Sequence, residues 1–95
     1  MSEQTGQAAA RRVVICNKKG LHARAAAKFV KTVAAHDAAV LVRRGESEVP
    51  GSSMLGLMML AAGPGCELEL AAEGPQAEAV LAALADLVAR RFDED

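Results

Sequence analysis

Residues 18–30 read KKGLHARAAAKFV, a run that passes from a short basic loop into an alanine-rich helix pattern. Gly20 and Leu21 lead directly into His22, so this histidine is expected at the start of the helix. A helix N-terminus carries unsatisfied backbone N–H groups and a partial positive charge, and such an end binds phosphate well. A histidine ring nitrogen is also a nucleophile that forms covalent intermediates. The run therefore predicts a histidine that accepts a phosphoryl group and passes it on.

Arg24 follows His22 by two residues, and its planar guanidinium could hold two phosphate oxygens at once. The plainer alternatives are a solvated surface arginine and a histidine that only caps or packs. No carboxylate occurs in the ten residues after His22, whereas a hydrolase would need a positioned base or a metal ion. We therefore expect a transfer intermediate rather than a stand-alone enzyme.

The composition limits both the core and the range of partners. The 95 residues carry a formal net charge of −1, and 52% of them are apolar, but Trp and Tyr are absent. These values predict one small domain with an aliphatic core. Nucleic-acid-binding proteins normally show a basic excess and aromatic stacking groups, so no nucleic-acid partner is expected. No apolar stretch is long enough for a membrane span and no secretory signal is evident, which predicts a cytoplasmic protein without a membrane partner.

The chain has two cysteines, Cys16 and Cys66, at distant positions. In a cytoplasmic chain this pattern favours buried thiols over a disulfide. There is no CxxC or HxxxH spacing, so we expect no metal site, and nothing in the sequence calls for a cofactor.

The apolar pattern predicts seven elements in the order β-α-β-β-α-β-α. Residues 1–10 are small and polar, which is typical of a flexible tail, and residues 11–95 are expected to form a single domain. Strands are predicted over residues 11–16, 39–43, 46–49 and 66–72, and helices over residues 22–35, 54–60 and from Gly74-Pro75 onward, with Pro75 in the first turn. The inward face of the first helix is predicted to consist of Ala26, Phe29, Val30 and Val33. This mixture favours an α+β fold in which helices cover one face of a mainly antiparallel sheet.

The helix predicted over residues 54–60 is unusually apolar, since only Gly56 lacks an apolar side chain. A short surface helix cannot bury all its sides, so we expect an exposed apolar patch of the kind that marks partner sites. A fully buried helix is the alternative, which suits a larger protein. Ser52 and Ser53 precede this helix as N-cap candidates. A phosphate there would be tolerated by the helix N-terminus and would place about two negative charges beside the patch.

Three motifs make the chain resemble HPr, the histidine-containing phosphocarrier family of the bacterial phosphoenolpyruvate-dependent phosphotransferase system. They are GLHAR at residues 20–24, SMLGLM at residues 53–58 and AEGP at residues 72–75, and the resemblance covers about residues 11–90. It implies an open-faced β-sandwich of four antiparallel strands with three helices on one face. Ala25 stands where the family usually has proline, a departure expected to affect backbone rigidity rather than chemistry.

The resemblance also implies roles for individual residues. His22 looks like the phosphohistidine, modified on Nδ1, and Arg24 looks like its phosphate contact. Ser53 looks like the regulatory site of a serine kinase and phosphorylase, in those bacteria that have them. The family docks its phosphoryl donor, enzyme I, and its IIA-type acceptors at the positions that here hold Met54, Leu55 and Met58.

The resemblance leaves the pathway open. The ending over residues 92–95, FDED, and the Met/Leu-rich short helix look more like the nitrogen-related paralogue than the sugar-transport form. The leading interpretation is a monomeric phosphocarrier. One alternative is a regulatory binding module, in which phosphorylation gates docking without onward transfer. Another is a small enzyme of similar shape, such as a phosphatase.

Overall fold

The computed structural model describes residues 7–94, which form one four-stranded antiparallel sheet and three helices. The elements are β1 (Gln7–Val14), α1 (Ala23–Ala34), β2 (Ala39–Arg44), β3 (Ser47–Pro50), α2 (Met54–Met59), β4 (Glu67–Gly74) and α3 (Ala77–Ala89), followed by a C-terminal 3₁₀ turn (Arg91–Asp93). The predicted order is confirmed, and no sequence pattern predicts the C-terminal turn.

The sheet has the strand order β1-β4-β2-β3, with every neighbouring pair antiparallel. On β4, Leu68 and Leu70 are buried beneath the helices, whereas Glu69 between them lies on the opposite face. There Glu69 accepts a hydrogen bond from Arg43 Nε at 2.9 Å and lies 3.4 Å from Arg12 Nε, which are its register partners on the two adjacent strands. One face is therefore covered and the other open, which confirms the predicted α+β, open-faced sandwich.

The core lies between the sheet and the helices. From α1 it takes Ala25, Ala26, Phe29 and Val33, while Val30, predicted to point inward, is only partly buried. From α3 it takes an aliphatic stripe that includes Val80, Leu81 and Leu84. The chain's two phenylalanines, Phe29 and Phe92, are both fully buried, so the core is aliphatic apart from these two rings, as predicted.

Strand β1 begins earlier than predicted, at Gln7 rather than at residue 11. Residues 7–10, three of which are alanines, lack the β-branched and aromatic side chains that favour strands. They nevertheless pair with residues 71–74 of β4, because backbone hydrogen bonds to a neighbouring strand do not depend on the side chain. The predicted tail over residues 1–10 is therefore wrong for residues 7–10, and its first six residues lie outside the described part of the chain.

Two further predictions are corrected. Pro75 lies in the turn before α3, whose N-cap is Gln76, because Gly74 still pairs within the sheet. Cys16 is exposed and Cys66 is half-buried, so burial is wrong for Cys16, although both thiols are free as expected. Ile15 is fully buried, and because side chains alternate in direction along an extended chain, Cys16 points away from the core.

Within residues 7–94, every helix is too short or too polar to cross a bilayer.

Gly20 allows the loop before α1 to lie directly against the segment that follows α2. Its φ is +62°, and a Cβ at this position would lie 2.1 Å from the carbonyl oxygen of Ala62. The same oxygen accepts a hydrogen bond from the Leu21 N–H at 3.0 Å. Only glycine satisfies both the backbone angle and the close approach.

Gly20→Ala should therefore destabilise the protein more than Gly45→Ala. Gly45 has a similar φ of +60° but nothing within 4 Å of its missing Cβ. Its substitution should cost only the left-handed backbone, about 1–2 kcal/mol. The clash at Gly20 should add about 1–3 kcal/mol, the usual cost of overpacking. Urea denaturation of the two variants measures both losses, and equal losses would contradict the close approach of Gly20 to Ala62.

Candidate functional site

His22 is the N-cap residue of α1. Its backbone is extended, with φ −73° and ψ 178°, and its carbonyl accepts the first helical hydrogen bond, from Ala26 N at 2.8 Å. The imidazole makes no capping bond to the helix, so the capping alternative is wrong for the ring. Within residues 7–94, the backbone N–H groups of residues 23–25 also have no acceptor. The helix thus begins beside the histidine with free donors, as an anion site requires.

Arg24 lies in the first turn of α1 and is exposed. Among the described residues it forms no hydrogen bond or ion pair, so its guanidinium is available to an anion at this helix end. Its position is compatible with the predicted phosphate contact, which stays a prediction.

The C-terminal segment brings a carboxylate to His22 that the sequence reasoning missed. Glu94 Oε2 lies 2.5 Å from Nε2 of the His22 ring. Only 14% of the Glu94 side chain and 28% of the His22 side chain are exposed. The two residues are 72 positions apart, so a search of the residues following His22 could not find the pair. The available signal was the acidic ending itself, which follows a lone apolar residue, Phe92.

An unusual turn delivers Glu94 to the site. Arg91, Phe92 and Asp93 all have positive φ angles, of 59°, 54° and 60°. Left-handed backbone costs about 1–2 kcal/mol per L-residue, so such a turn requires strong anchors. Phe92 is fully buried, and its carbonyl accepts a hydrogen bond of 2.6 Å from Lys28 Nζ on α1.

Asn17 joins the carboxylate to the loop before α1. Its side chain is fully buried, and its Nδ2 donates to Glu94 Oε1 at 3.1 Å and to the Gly20 carbonyl at 2.9 Å. Within residues 7–94 its Oδ1 has no hydrogen-bond partner. A buried amide that uses both N–H groups in this way fixes the two segments relative to each other.

The pKa of the Glu94 carboxyl lies below its ordinary value. Partial burial opposes this shift, but the hydrogen bonds from His22 and Asn17 and the electrostatic attraction to His22 and Lys28 outweigh the burial effect. Hydrogen bonds to an ionised carboxylate favour the charged form. The group beside Nε2 is therefore an anion at neutral pH.

Ser53 and the apolar patch lie on α2, which packs against α1. Ser53 caps α2, since its Oγ accepts a hydrogen bond from Gly56 N at 3.0 Å. Leu57 is buried, whereas Leu55 is 69% and Met59 73% exposed. Met54 and Met58 are also exposed, so the predicted patch exists and a fully buried helix is wrong. Met59 belongs to this predicted helix but not to the three residues that the resemblance implies for docking.

No group of three or more His, Cys, Asp or Glu side chains in residues 7–94 is arranged to hold a metal ion.

A family model described as the PTS HPr component phosphorylation site matches residues 9–90. The chain belongs to the HPr family. HPr proteins are phosphocarriers of the phosphotransferase system rather than stand-alone catalysts, and this description holds for the present chain.

Individual HPr-family members show the same relationship. The chain is 51% identical over 83 residues to the phosphocarrier protein HPr of Pseudomonas aeruginosa, covering 86% of this chain and 92% of that protein. It is 44% identical over 84 residues to the phosphocarrier protein NPr of Shewanella violacea, covering 88% and 92%. A crystal structure of HPr from Thermoanaerobacter tengcongensis superimposes with a TM-score of 0.87 at 36% identity, covering 92% of this chain and 98% of that one.

Glu94→Gln should lower the free energy of unfolding at neutral pH, and the loss should shrink as the pH falls. The pKa of this carboxyl is 4.5 in the unfolded chain and lower in the folded protein. Its stabilising contribution is therefore fully present at pH values above 4.5 and disappears as the pH falls through the folded-state pKa. Urea denaturation of both proteins at neutral pH and well below pH 4.5 measures the difference. A difference that is independent of pH would contradict an ionised, hydrogen-bonded Glu94.

Proposed function

We propose that the protein accepts a phosphoryl group from phosphorylated enzyme I on Nδ1 of His22 and transfers it to an IIA-type acceptor protein. One observation carries this proposal. The His22 ring lies at the N-terminus of α1 with Nε2 bound to Glu94, while Nδ1 has no partner among residues 7–94. The histidine thus has one occupied and one available ring nitrogen, and it caps a helix whose first N–H groups are free.

In the proposed step, the electron pair of Nδ1 forms a bond to phosphorus. The bond between phosphorus and the donor breaks, and its electron pair leaves with the donor. The phosphoryl oxygens are then bound by the N–H groups of residues 23–25 and by Arg24, whose guanidinium makes charge-assisted hydrogen bonds. Transfer to the acceptor is the same displacement at phosphorus, with His22 as the leaving group.

The exposed patch on α2 is the proposed docking surface for both partners, through Met54, Leu55 and Met58. Its support is the exposure of large apolar side chains on a helix that packs against α1. Methionine side chains adapt to differently shaped partner surfaces, which suits a carrier that meets a donor and an acceptor in turn.

Ser53 is the proposed regulatory site of a serine kinase and phosphorylase. Its Oγ already lies at the N-terminus of α2, where added negative charge is tolerated. A phosphate there would carry about two negative charges next to Met54, and a partner that removes water from this patch would leave these charges poorly solvated.

We further propose that the protein is a cytoplasmic monomer. The relatives include both HPr and NPr proteins, so the acidic ending and the Met/Leu-rich short helix are the two features that support the nitrogen-related branch.

His22 should be the sole site of acid-labile phosphorylation by enzyme I and labelled phosphoenolpyruvate. His22→Ala should abolish the label, whereas His36→Ala should keep it. His36 is a matched control because it lies just beyond the other end of α1, where its Nδ1 bonds to the Thr32 carbonyl at 2.8 Å. Label retained in His22→Ala would refute the proposal. A labelled protein that cannot transfer to any IIA-type acceptor in a single turnover would support the binding-module alternative instead.

Ser53→Asp should weaken enzyme I binding about tenfold or more, while Ser52→Asp changes it little. Aspartate caps a helix as well as serine does, and a negative charge at this end stabilises the free protein by about 0.3–1 kcal/mol. The loss should therefore appear in binding, through an unpaired charge at a desolvated contact. Ser52 is exposed and does not form the cap, which makes it the matched control. Calorimetric affinities and thermal melting test this, and equal affinities would place Ser53 outside the docking surface.

A further inference from the structure

We propose that Glu94 is a positioning residue for phosphoryl transfer: its carboxylate holds the proton on Nε2 of His22, which keeps Nδ1 as the nucleophile and stabilises the charge that the ring gains. This inference rests on the proposed function of His22 as the phosphoryl acceptor. It assigns a role to Glu94 and to the C-terminal turn before it, which both lie outside the three motifs that carry the family resemblance.

The first argument is the hydrogen-bonding capacity of the two groups. An ionised carboxylate only accepts hydrogen bonds, and Glu94 Oε2 lies 2.5 Å from Nε2. A contact of this length requires the proton to lie between the two atoms, so Nε2 is the donor. Because a neutral imidazole carries a single N–H, the other ring nitrogen keeps its electron pair. A carboxylate that fixes a histidine tautomer in this way is a familiar part of hydrolase triads.

The second argument concerns the charge that develops during transfer. When Nδ1 forms its bond to phosphorus and Nε2 keeps its proton, the ring acquires a positive charge. No proton has to move, because the electron pair of the broken bond leaves with the donor. Glu94 contacts the protonated nitrogen, whereas the phosphoryl group is bound to the opposite nitrogen. The attraction between the carboxylate and the ring therefore acts over a shorter distance than the repulsion between the carboxylate and the phosphoryl oxygens.

The third argument is that the carboxylate is held in place on several sides. Asn17, fully buried, binds its second oxygen, while buried Phe92 and the bond from Lys28 fix the turn that precedes it. A long side chain near a chain end would otherwise lose much of any pairing energy to ordering entropy. Three consecutive left-handed residues persist only where the surroundings determine them, and such backbone is found preferentially at functional sites.

The experiment compares the unaltered protein with Glu94→Gln and with Glu78→Gln. Glutamine keeps the size and an accepting oxygen but removes the charge. Glu78 is an exposed carboxylate in the first turn of α3, at the opposite end of that helix from the turn that carries Glu94. Proton and ¹⁵N NMR of the unphosphorylated proteins reads the Nε2 proton of His22 directly. In the unaltered protein and in Glu78→Gln, we expect the Nε2 proton to resonate downfield and to exchange slowly with water. In Glu94→Gln, we expect the signal of this proton to move upfield and its exchange to be faster.

The second measurement uses phosphoramidate, a small donor with a P–N bond, so that no protein partner is needed. We expect Glu94→Gln to slow phosphorylation of Nδ1 about fivefold, the difference between a charge-assisted and a neutral hydrogen bond, and Glu78→Gln to leave the rate unchanged. Thermal melting confirms that each variant is folded under the assay conditions. An unchanged Nε2 proton, an unchanged rate or a faster rate in Glu94→Gln would each overturn the inference. A faster rate would show that the carboxylate blocks the site.

These outcomes are separable from those that test His22 itself. If enzyme I fails to label His22, the proposed function fails, while the Nε2 proton and the phosphoramidate rate still report on Glu94. If enzyme I labels His22 and Glu94→Gln behaves like Glu78→Gln, the phosphocarrier proposal stands and only the role of Glu94 is lost.

Discussion

The hydrogen bond from the Leu21 N–H to the Ala62 carbonyl is the contact on which the arrangement of the site depends. At 3.0 Å it joins the loop before α1 to the segment that follows α2, and it forms only because Gly20 has no side chain to meet the same oxygen. Asn17, in the same loop, donates hydrogen bonds to the Gly20 carbonyl and to Glu94 Oε1. One short loop thus fixes the start of the histidine helix relative to the apolar helix and to the end of the chain. A change at Gly20 would disturb all three at once.

The C-terminal turn shows how local strain is compensated by tertiary contacts. Three left-handed residues in succession are unfavourable for L-amino acids, and only two local backbone hydrogen bonds, Asp93 N–H to the Arg90 carbonyl and Glu94 N–H to the Arg91 carbonyl, accompany them in residues 90–94. Burial of a phenylalanine side chain contributes about 1.5–3 kcal/mol, and the bond from Lys28 to the Phe92 carbonyl adds a charge-assisted contact. The turn exists because Phe92 fills the core. A carboxylate is thereby held at a position that an unanchored chain end would occupy only part of the time.

The sequence predicts those features that periodicity or a turn residue determines locally. The element order, the one-sided sheet, the start of α1 at His22 and the Ser53 cap all follow from patterns within about ten residues. The start of β1 at Gln7 does not, because pairing with β4 rather than side-chain preference decides it. The Glu94–His22 pair does not either, since it depends on a left-handed turn of non-glycine residues that sequence rules would reject. Tertiary contacts override local preference in both cases, and in the second case they complete the site.

His22 combines two electrostatic features. It is the N-cap of α1, an end that carries a partial positive charge, and its Nε2 contacts the ionised carboxylate of Glu94. Under the proposed function, the helix end suits a dianionic phosphoryl group and the carboxylate suits a protonated ring, while 28% of the His22 side chain stays exposed. In that proposal, water is excluded from the reacting atoms by the partner protein. A partly exposed histidine on a helix that packs against one with an exposed apolar patch suits the proposed carrier, because the same phosphoryl group would have to be reached by a donor and then by an acceptor.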